Sequence, residues 1–221
     1  MEHLLEFTDV EYSVGSGLSN ISLSGIVAEN GILNVRGPSG SGKTTFLRIL
    51  ARLKTAEGGV VYLQGRSWME YPPSVWRRRV HYLAQKPILF DGSVLNNLQK
   101  PFELLTVKQD IQFNLASACE LIERLGLNQK MLTQDARTLS GGEASRFALI
   151  RALLLEPMVL LLDEPLAALD KKAAGAVMDL VVHWQTQKTA RGVVLVSHAG
   201  KFADIRGLSV LEMPFKEGDY D

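Results

Sequence analysis

Hydrophobic residues are arranged along this chain in two alternating patterns. One consists of short runs that are apolar at almost every position, as in strands buried on both faces of a parallel sheet. Six runs predict strands, over Leu4–Val10, Ile32–Val35, Val60–Leu63, Val80–Leu83, Val159–Leu162 and Val193–Val196. The other pattern has helical spacing and predicts helices over Thr44–Leu53, Asp110–Leu125, Gly141–Leu155 and Lys171–Gln187. Strands that alternate with helices in this order predict an α/β fold with a mostly parallel sheet.

The predicted helices and strands are not spread evenly along the chain. From about Pro87 to Pro157 the pattern is mostly helical, whereas both flanks are rich in strands. The chain has 221 residues, a length typical of one large domain. We therefore predict a single domain over residues 1–221, in which a helical subdomain, approximately residues 88–157, is inserted in the α/β core.

The composition narrows the range of partners and locations. Lys plus Arg (24) and Asp plus Glu (24) cancel, whereas nucleic-acid binders usually carry a net basic field, so no nucleic-acid partner is expected. The run Trp76–Arg79 is a nucleic-acid patch on one interpretation and a solvated helix face on the other, which we favour.

One cysteine, Cys119, cannot form an internal disulfide. No run approaches the ~18 apolar residues of a membrane span, and the start lacks a signal-peptide pattern. These features predict a cytoplasmic protein.

A glycine-rich loop follows the predicted strand Ile32–Val35 and matches the pattern G-x-x-x-x-G-K-[ST]. In such a loop the backbone N–H groups surround an anion, and the N-terminus of the next helix favours negative charge. Lys43 is predicted to reach the β- and γ-phosphates of a nucleotide, and the Thr44 hydroxyl to bind Mg²⁺. An ordinary Gly/Ser turn is the alternative, and the Lys-Thr pair argues against it. The predicted phosphate-binding residues are Gly37, Pro38, Ser39, Gly40, Ser41, Gly42, Lys43, Thr44 and Thr45.

Two carboxylates follow the apolar strand Val159–Leu162. In an open α/β sheet, ligands lie at the carboxyl ends of the strands. Asp163 is therefore predicted to hold Mg²⁺, and Glu164 to polarise an attacking water as a general base. A solvated strand end would be an equal alternative for this pair alone. The phosphate loop about 120 residues upstream favours the functional interpretation.

Further motifs make the chain resemble the ATP-binding cassette (ABC) ATPases. Leu139–Glu143 reads LSGGE, which matches the signature of that family, and the other matching residues follow in the family's order. They are the Q-loop residue Gln85, the D-loop segment Ala168–Asp170, the switch residue His198, and Tyr12 at the position of an adenine-stacking aromatic. The resemblance covers essentially the whole chain. It implies a P-loop NTPase core with a mostly parallel sheet, an N-terminal antiparallel β part and an inserted helical subdomain.

The resemblance also implies a role for each residue in MgATP hydrolysis. Lys43, Glu164, His198 and Gln85 are the implied catalytic residues, and Thr44, Gln85 and Asp163 are the implied Mg²⁺ site. Ser140, Gly141, Gly142 and Asp170 are implied to act across a dimer interface, the first three on the γ-phosphate of the other subunit. Taken singly, several have simpler explanations: Tyr12 as a sheet aromatic, and Ser140 as a helix N-cap. Asp170 is likewise the N-cap candidate of the predicted helix Lys171–Gln187.

One segment departs from the pattern of the family. After LSGGE the family usually has Gln or Lys and then Gln, whereas here Ala144 and Ser145 precede Arg146. This change does not affect the phosphate-contacting positions, so an active ATPase is still expected.

Three classes of ABC protein remain to be compared: a transporter ATPase, a soluble ATPase acting on ribosomes or DNA, and an inactive regulatory cassette. A single cassette, with 53 residues between Gln85 and Leu139 and with Lys43, Glu164 and His198 all retained, favours the transporter ATPase. The resemblance then implies a separate transmembrane permease, a homodimer or heterodimer formed on ATP binding, and a location on the cytoplasmic face of the cell membrane. The stretch from Gln85 to Phe102 further resembles small cassettes of bacterial iron-efflux-type transporters, although lipid and drug exporters share the pattern.

An apolar run directly follows the Q-loop residue. Ile88, Leu89 and Phe90 are predicted to border a groove, near Gln85–Leu98, that receives a helix of the permease. The alternative is that these three residues pack the helical subdomain.

Overall fold

The computed structural model describes residues 3–14, 19–197 and 208–214. The strands of this part of the chain are β1 (His3–Val14), β2 (Ser19–Ala28), β3 (Ile32–Arg36), β4 (Gly58–Leu63), β5 (Arg66–Ser67), β6 (Val80–Leu83), β7 (Val159–Asp163), β8 (Gly192–Val196) and β9 (Leu208–Glu212). The α-helices are α1 (Lys43–Leu50), α2 (Pro73–Arg79), α3 (Val94–Gln99), α4 (Leu105–Lys108), α5 (Leu115–Arg124), α6 (Gly141–Leu154) and α7 (Lys171–Gln187). Four 3₁₀ turns cover Trp68–Glu70, Lys100–Glu103, Gln129–Thr133 and Ala136–Thr138.

The strands form two sheets of different kinds. An antiparallel sheet has the order β2-β1-β4-β5, and a parallel sheet has the order β6-β7-β8-β3-β9. The parallel strands β7 and β8 are buried at every position, as expected for strands covered on both faces. The predicted α/β fold with a mostly parallel sheet and an N-terminal antiparallel part is therefore confirmed.

Alternate residues of the parallel sheet belong to two separate parts of the hydrophobic core. Leu160, Leu162 and Leu195 pack with α5, α6 and α7. Leu161 and Val194 point to the opposite face, where they pack with α1, α2 and the antiparallel sheet. This division follows from the two-residue period of a strand. The parallel sheet is thus held between the antiparallel sheet on one face and the helices that follow β6 on the other.

The chain between β6 and β7 contains helices and turns but no strand. This segment, residues 84–158, carries α3 to α6, and it is described over its whole length. Its buried side chains, among them Leu98, Ile122 and Phe147, join the same core as one face of the parallel sheet. We refer to residues 84–158 below as the helical segment.

Some boundaries and three strands differ from the sequence prediction. The strands β2, β5 and β9 were not predicted, because β2 alternates polar and apolar residues, β5 has only two residues, and β9 is a largely exposed edge strand. Helix α5 begins at Leu115 rather than Asp110, since the Asn114 side chain accepts a hydrogen bond from the Ser117 N–H and caps the helix there. Helix α1 ends at Leu50 rather than Leu53, and Arg52 has a left-handed φ of 54°. Within the described residues, no helix is both long and apolar enough to cross a membrane.

Candidate functional site

The glycine-rich loop lies between the carboxyl end of β3 and the first turn of α1, as predicted. Gly42 has a φ of 92°, in the left-handed region that favours glycine. A Cβ at Gly42 would also lie 2.7 Å from Cγ2 of Val14 and 3.1 Å from Cε2 of Tyr12. Both the backbone conformation and the close approach of β1 therefore require glycine at this position.

Lys43 is buried at the first position of α1, with 8% of its surface exposed. Its Nζ donates hydrogen bonds to the carbonyl oxygens of Gly37, at 2.8 Å, and Pro38, at 2.6 Å. Burial lowers the pKa of the Lys43 amine, and the negative charges of Glu164 and Asp163 partly oppose that shift. The ammonium therefore lies inside the loop, near two carboxylates, on bonds that it can exchange for phosphate oxygens.

Asp163 is held by hydroxyl groups from two other elements. The Thr44 hydroxyl donates to Oδ1 of Asp163 at 3.0 Å, and the Tyr82 hydroxyl donates to Oδ2 at 2.8 Å. Arg48 Nε donates in turn to the Tyr82 hydroxyl at 3.4 Å. Burial raises the pKa of Tyr82 to about 12, so this hydroxyl keeps the proton that it donates. The carboxylate, which is 3% exposed, is fixed in position from both sides.

Tyr82 was missed by the sequence analysis. It lies in β6, which pairs with β7 so that Tyr82 is opposite Leu161, two residues before Asp163. Its position in the sequence could have indicated this role, because a polar side chain near the end of one strand can reach a carboxylate at the end of the neighbouring strand. Finding it required the order of the strands, which the sequence pattern does not contain.

Gln85 and Glu164 meet at the end of the same two strands. The Gln85 Nε2 donates to Oε2 of Glu164 at 2.8 Å, although the two residues are 79 positions apart. Glu164 has a left-handed φ of 48° and its N–H donates to the carbonyl of Val196 at 3.2 Å. The backbone of Glu164 is therefore turned out of the line of β7, which directs its side chain to Gln85.

The LSGGE segment forms the N-terminus of α6. Ser140 is the N-cap: its hydroxyl accepts from the Glu143 N–H, and the Glu143 carboxylate accepts from the N–H and hydroxyl of Ser140. These hydrogen bonds hold the pKa of Glu143 below its ordinary value. Gly141 is exposed and Gly142 is half-buried. Within the described residues, the Ser140 hydroxyl bonds to Glu143 and to no residue of the phosphate loop.

The predicted D-loop lies directly beside this helix start. A Cβ at Gly142 would lie 3.1 Å from the carbonyl oxygen of Ala168 and 3.3 Å from Cδ2 of Leu169. Asp170 is exposed, and its carboxylate accepts from the Ala173 N–H at 2.8 Å as the N-cap of α7. The cap predicted at Asp170 is confirmed, while its role at a dimer interface stays a prediction.

The prediction that Tyr12 stacks on adenine is wrong in this structure. Tyr12 is 1% exposed, its ring stacks on Phe46 at 6.3 Å, and burial raises the pKa of its hydroxyl. The side chain points into the core between β1 and α1, because Tyr12 occupies an inward position in the two-residue alternation of β1. The half-buried Val14, two residues further on, is the β1 side chain that lies nearest to Gly42.

Two further sequence predictions are placed as follows. His198 lies outside the described residues. Ala144 is buried, and the Ser145 hydroxyl donates to the Gly141 carbonyl at 2.9 Å. Ser145 and Gln85 also line one small cavity of about 10 Å³, room for about one water molecule. Of the two small residues that replace the family's polar pair, Ser145 thus borders the same cavity as the Q-loop residue.

The apolar run after Gln85 is largely exposed. Ile88 has 74% and Phe90 46% of its surface accessible. The Arg151 guanidinium lies 5.5 Å from the centre of the Phe90 ring and donates to the Ile88 carbonyl at 2.9 Å. Leu89 is half-buried and packs against the core of the helical segment. Two of the three residues thus face outward rather than packing inside.

Comparison with known proteins identifies what this arrangement resembles. The sequence model of the family described as ABC transporter matches residues 18–167. The chain is 34% identical over 197 residues to the probable iron export ATP-binding protein FetA of Escherichia coli (strain K12), and the aligned region covers 88% of this chain and 84% of that protein. It is 37% identical over 177 residues to the lactococcin-A transport/processing ATP-binding protein LcnC of Lactococcus lactis subsp. lactis, where the aligned region covers 75% of this chain and 24% of that protein.

A solved structure shares the fold. It is the dimeric post-hydrolysis state of an ATP-binding cassette bound to ADP and Pi, with a TM-score of 0.74 at 24% sequence identity. The match covers 88% of this chain and 88% of that one. The two sheets and the helical segment described above therefore form a known arrangement.

Proposed function

The chain belongs to the ABC transporter family and is an ATPase, and from that premise we propose that it energises transport by a separate membrane-spanning partner. The observation that carries this proposal is the meeting of four predicted residues at one edge of the parallel sheet. Thr44 bonds to Asp163 and Gln85 bonds to Glu164, across 119 and 79 positions of sequence. Such convergence at the carboxyl ends of strands is the arrangement that nucleotide chemistry requires.

We propose that the loop from Gly37 to Thr45 binds the phosphates of ATP. Lys43 would exchange its bonds to the Gly37 and Pro38 carbonyls for bonds to phosphate oxygens, which keeps the ammonium paired in both states. The first N–H groups of α1 and the positive end of its dipole would stabilise the remaining phosphate charge. Ser39 and Gly40, which are exposed, leave the entrance of the loop open.

The residues around Asp163 fit a magnesium ion. The Thr44 hydroxyl and the Asp163 carboxylate lie 3.0 Å apart, and oxygen ligands of this kind are those that Mg²⁺ prefers. Gln85, whose side chain bonds to the adjacent Glu164, would contribute its amide oxygen as a further ligand. When bound, Mg²⁺ would neutralise phosphate charge. Tyr82 would keep the Asp163 carboxylate oriented for this task through its 2.8 Å hydrogen bond.

Hydrolysis would proceed by attack of water on the γ-phosphorus. As the new P–O bond forms, the bond from the γ-phosphorus to the bridging oxygen breaks and its electron pair leaves with ADP. The Glu164 carboxylate would orient the water and accept its proton. Gln85, which donates to Oε2 of Glu164, would hold that carboxylate in place. We retain His198 as a further residue near the γ-phosphate.

We propose that each site is completed by a second chain. The N–H groups at the start of α6 form an anion site, and the Ser140 hydroxyl has no bond to the phosphate loop among the described residues. In a head-to-tail pair, Ser140, Gly141 and Gly142 would contact the γ-phosphate bound by the other chain, with Asp170 at the interface. Two-fold symmetry would then produce two equal sites. The fold shared with a dimeric cassette supports this proposal.

The exposed surface at Ile88 and Phe90 is the proposed contact with the membrane-spanning partner. Both side chains are apolar and largely accessible, and they follow Gln85, which bonds to Glu164. An amphipathic helix of the partner could bind against them in the helix-in-groove mode. The chain would thus lie at the membrane surface as a peripheral subunit, and Gln85 would connect the nucleotide to that contact.

We propose metal efflux, and iron export in particular, as the transport process. This rests on the relative named for iron export, which the chain matches over most of both lengths. The relative named for lactococcin-A transport is matched over 24% of its length.

Reconstitution with a candidate permease tests the proposed partner and cargo together. The ATPase rate of the complex should rise with ferrous iron, and Phe90→Asp should abolish co-purification while MgATP binding persists. Leu105→Asp, at a residue that is 78% exposed and equally apolar, is the matched control and should co-purify normally. If Phe90→Asp still co-purifies, the proposed contact is wrong.

A further inference from the structure

Asn34 is a polar side chain in the interior of the parallel sheet, where it is fully buried. Its neighbours in β3, Leu33 and Val35, pack on the face of the sheet that is covered by α1 and the antiparallel sheet. Asn34 therefore points to the opposite face, with Leu195 of β8 as its partner in register. Strands buried on both faces usually carry apolar residues at such positions. A buried amide at this place needs an explanation other than packing.

The amide of Asn34 forms only part of the hydrogen bonds available to it. Its Oδ1 accepts from the Ser197 hydroxyl at 3.2 Å, whereas its Nδ2 has no acceptor among the described residues. In Asn97, which is also buried, both ends of the amide are paired: Oδ1 accepts from the Phe90 N–H, and Nδ2 donates to the carbonyls of Phe90 and Ser93. A buried donor without an acceptor destabilises the folded state. What Asn34 contributes is therefore its bond to Ser197, at a cost in stability.

That bond helps to connect the end of β8 to both neighbouring strands. Strand β8 lies between β7 and β3 and ends at Val196. On one side, the Ser197 hydroxyl extends the connection to β3 beyond the last pair of the ladder, through the amide of Asn34. On the other side, the Val196 carbonyl accepts from the Glu164 N–H at 3.2 Å. The peptide group between Val196 and Ser197 is thus flanked by two hydrogen bonds that hold it in place.

The second of these bonds acts on the backbone of the proposed general base. Glu164 has a left-handed φ of 48°, a conformation that costs free energy in a residue with a side chain and that the surrounding structure must maintain. We infer that Asn34 is a positioning residue for ATP hydrolysis, acting on Glu164 through the end of β8. By holding Ser197, it fixes the Val196 carbonyl and with it the backbone of Glu164. This inference rests on the proposed function, since it assumes that Glu164 activates the water.

Steady-state kinetics of the full chain test the inference. Asn34→Leu replaces the amide by an apolar group with the same branching and removes one hydrogen bond, so kcat for ATP hydrolysis should fall about tenfold, while KM for MgATP should change less than about twofold. The melting temperature should stay the same or rise, because an unused buried donor is removed. Asn97→Leu is the matched control for stability. It should lower the melting temperature, because every bond of that amide is made.

Variants of Ser197 separate the hydrogen bond from packing. Ser197→Ala removes the same bond from its other end and should lower kcat as much as Asn34→Leu does. Because Ser197 is only half-buried, this variant keeps the test decisive where Asn34→Leu does not fold. Ser197→Thr retains a hydroxyl and should recover most of the rate. The double variant should be no slower than either single one, since both lose one shared interaction. Additive losses, or a wild-type kcat in the single variants, would overturn the inference.

Amide hydrogen exchange distinguishes a failure of this inference from a failure of the proposed function. In ¹⁵N–¹H spectra, exchange of the Glu164 N–H should be at least about tenfold faster in Asn34→Leu and Ser197→Ala than in the wild type. Unchanged exchange would overturn the inference, as would a fall in kcat that is matched by an equal loss of MgATP affinity. Faster exchange in a chain whose wild type hydrolyses no ATP would support the connection from Asn34 to Glu164 and contradict the proposed function instead.

Discussion

The nucleotide edge of the parallel sheet and the start of α6 carry the two halves of one proposed site, yet they differ in how complete they are. At the sheet edge, side chains from three distant segments already bond to one another, as Thr44 does to Asp163 and Gln85 does to Glu164. At the start of α6, Ser140 bonds to its own helix through Glu143. The first half is preorganised within one chain. The second is a capped helix end whose phosphate-binding role depends on another chain.

This comparison explains why the two halves should respond differently to substitution. Changes at the sheet edge should alter nucleotide or metal binding in a single chain. A change at Ser140 should leave that binding intact and affect association. The following experiments test the sheet edge and the strands that support it, beginning with the loss of nucleotide binding, and the last measurement returns to the start of α6.

Lys43→Ala should give the largest effect on the sheet edge. Removing the buried ammonium deletes the charge proposed to pair with the phosphates, and truncating one partner of a buried charge pair costs about 2–5 kcal/mol. MgATP affinity, measured by calorimetry, should therefore fall at least ~30-fold. Lys54→Ala, at an exposed lysine four residues after α1, is the control and should bind normally. Unchanged affinity in Lys43→Ala would refute the phosphate-loop assignment.

Tyr12→Ala should destabilise the fold rather than remove a contact with adenine. The ring is buried against Phe46, and truncating a large buried aromatic costs about 3–5 kcal/mol. Urea unfolding should show that loss, while Tyr12→Phe should retain nearly full stability and MgATP affinity. If Tyr12→Ala kept its stability but lost affinity for ATP, the ring would contact the nucleotide after all.

The free energy of unfolding should decrease in mild acid, because His81, in β6, is protonated more readily in the unfolded chain than in the folded one. Burial lowers the pKa of His81 to about 4, whereas its value in the unfolded chain is about 6.5. The folded state therefore binds fewer protons than the unfolded state between these two values, so stability is complete above pH 6.5 and decreases as the pH falls toward 4. Because His81 is only partly buried as a residue, we expect a loss of about 2 kcal/mol.

Urea midpoints of the wild type and of His81→Gln, measured at several pH values, check this expectation. The substitution should make the urea midpoint less dependent on pH between pH 6.5 and 4. A profile that kept the same slope in His81→Gln would assign the effect to other groups.

Tyr82→Phe should give a smaller effect, confined to the metal. The variant keeps the ring and removes the hydroxyl that bonds to Asp163, a bond to a charged group worth about 1.5–3 kcal/mol. The concentration of Mg²⁺ that half-saturates ATP hydrolysis should rise about tenfold, with little change in the rate at saturating Mg²⁺. Calorimetric affinity for ADP without metal should stay the same. An equal loss of rate at all Mg²⁺ concentrations would indicate a structural role instead.

The sequence predicted the halves of the site unequally, for physical reasons. A phosphate loop is local, so Gly42 and Lys43 could be located from spacing alone, as could the caps Ser140 and Asp170. The partner of a carboxylate is not local: Tyr82 reaches Asp163 because β6 and β7 are neighbours. Tyr12 shows the same limit, since a pattern of matching motifs placed it at the nucleotide, whereas the alternation of β1 turns it into the core.

The fold shows the same contrast between local and non-local information. Fully buried strands such as β7 are visible as apolar runs. The half-exposed β2 has an alternating pattern that was overlooked, although it pairs with most of β1. The start of α5 depended on a single capping residue, Asn114. Element type was therefore predictable where burial is uniform on both faces, and boundaries were not predictable where one side chain decides them.

Light scattering of Glu164→Gln with MgATP tests most directly the central claim that a second chain completes the site. This variant should bind ATP but fail to accept the proton of the attacking water, so it should associate from 24.4 kDa to twice that mass on adding MgATP. Adding Ser140→Arg should keep ATP binding and prevent that association, since the start of α6 would no longer fit the phosphate of the other chain. A Glu164→Gln protein that stays at the mass of one chain with saturating MgATP, or a dimer that Ser140→Arg does not disrupt, would contradict the account.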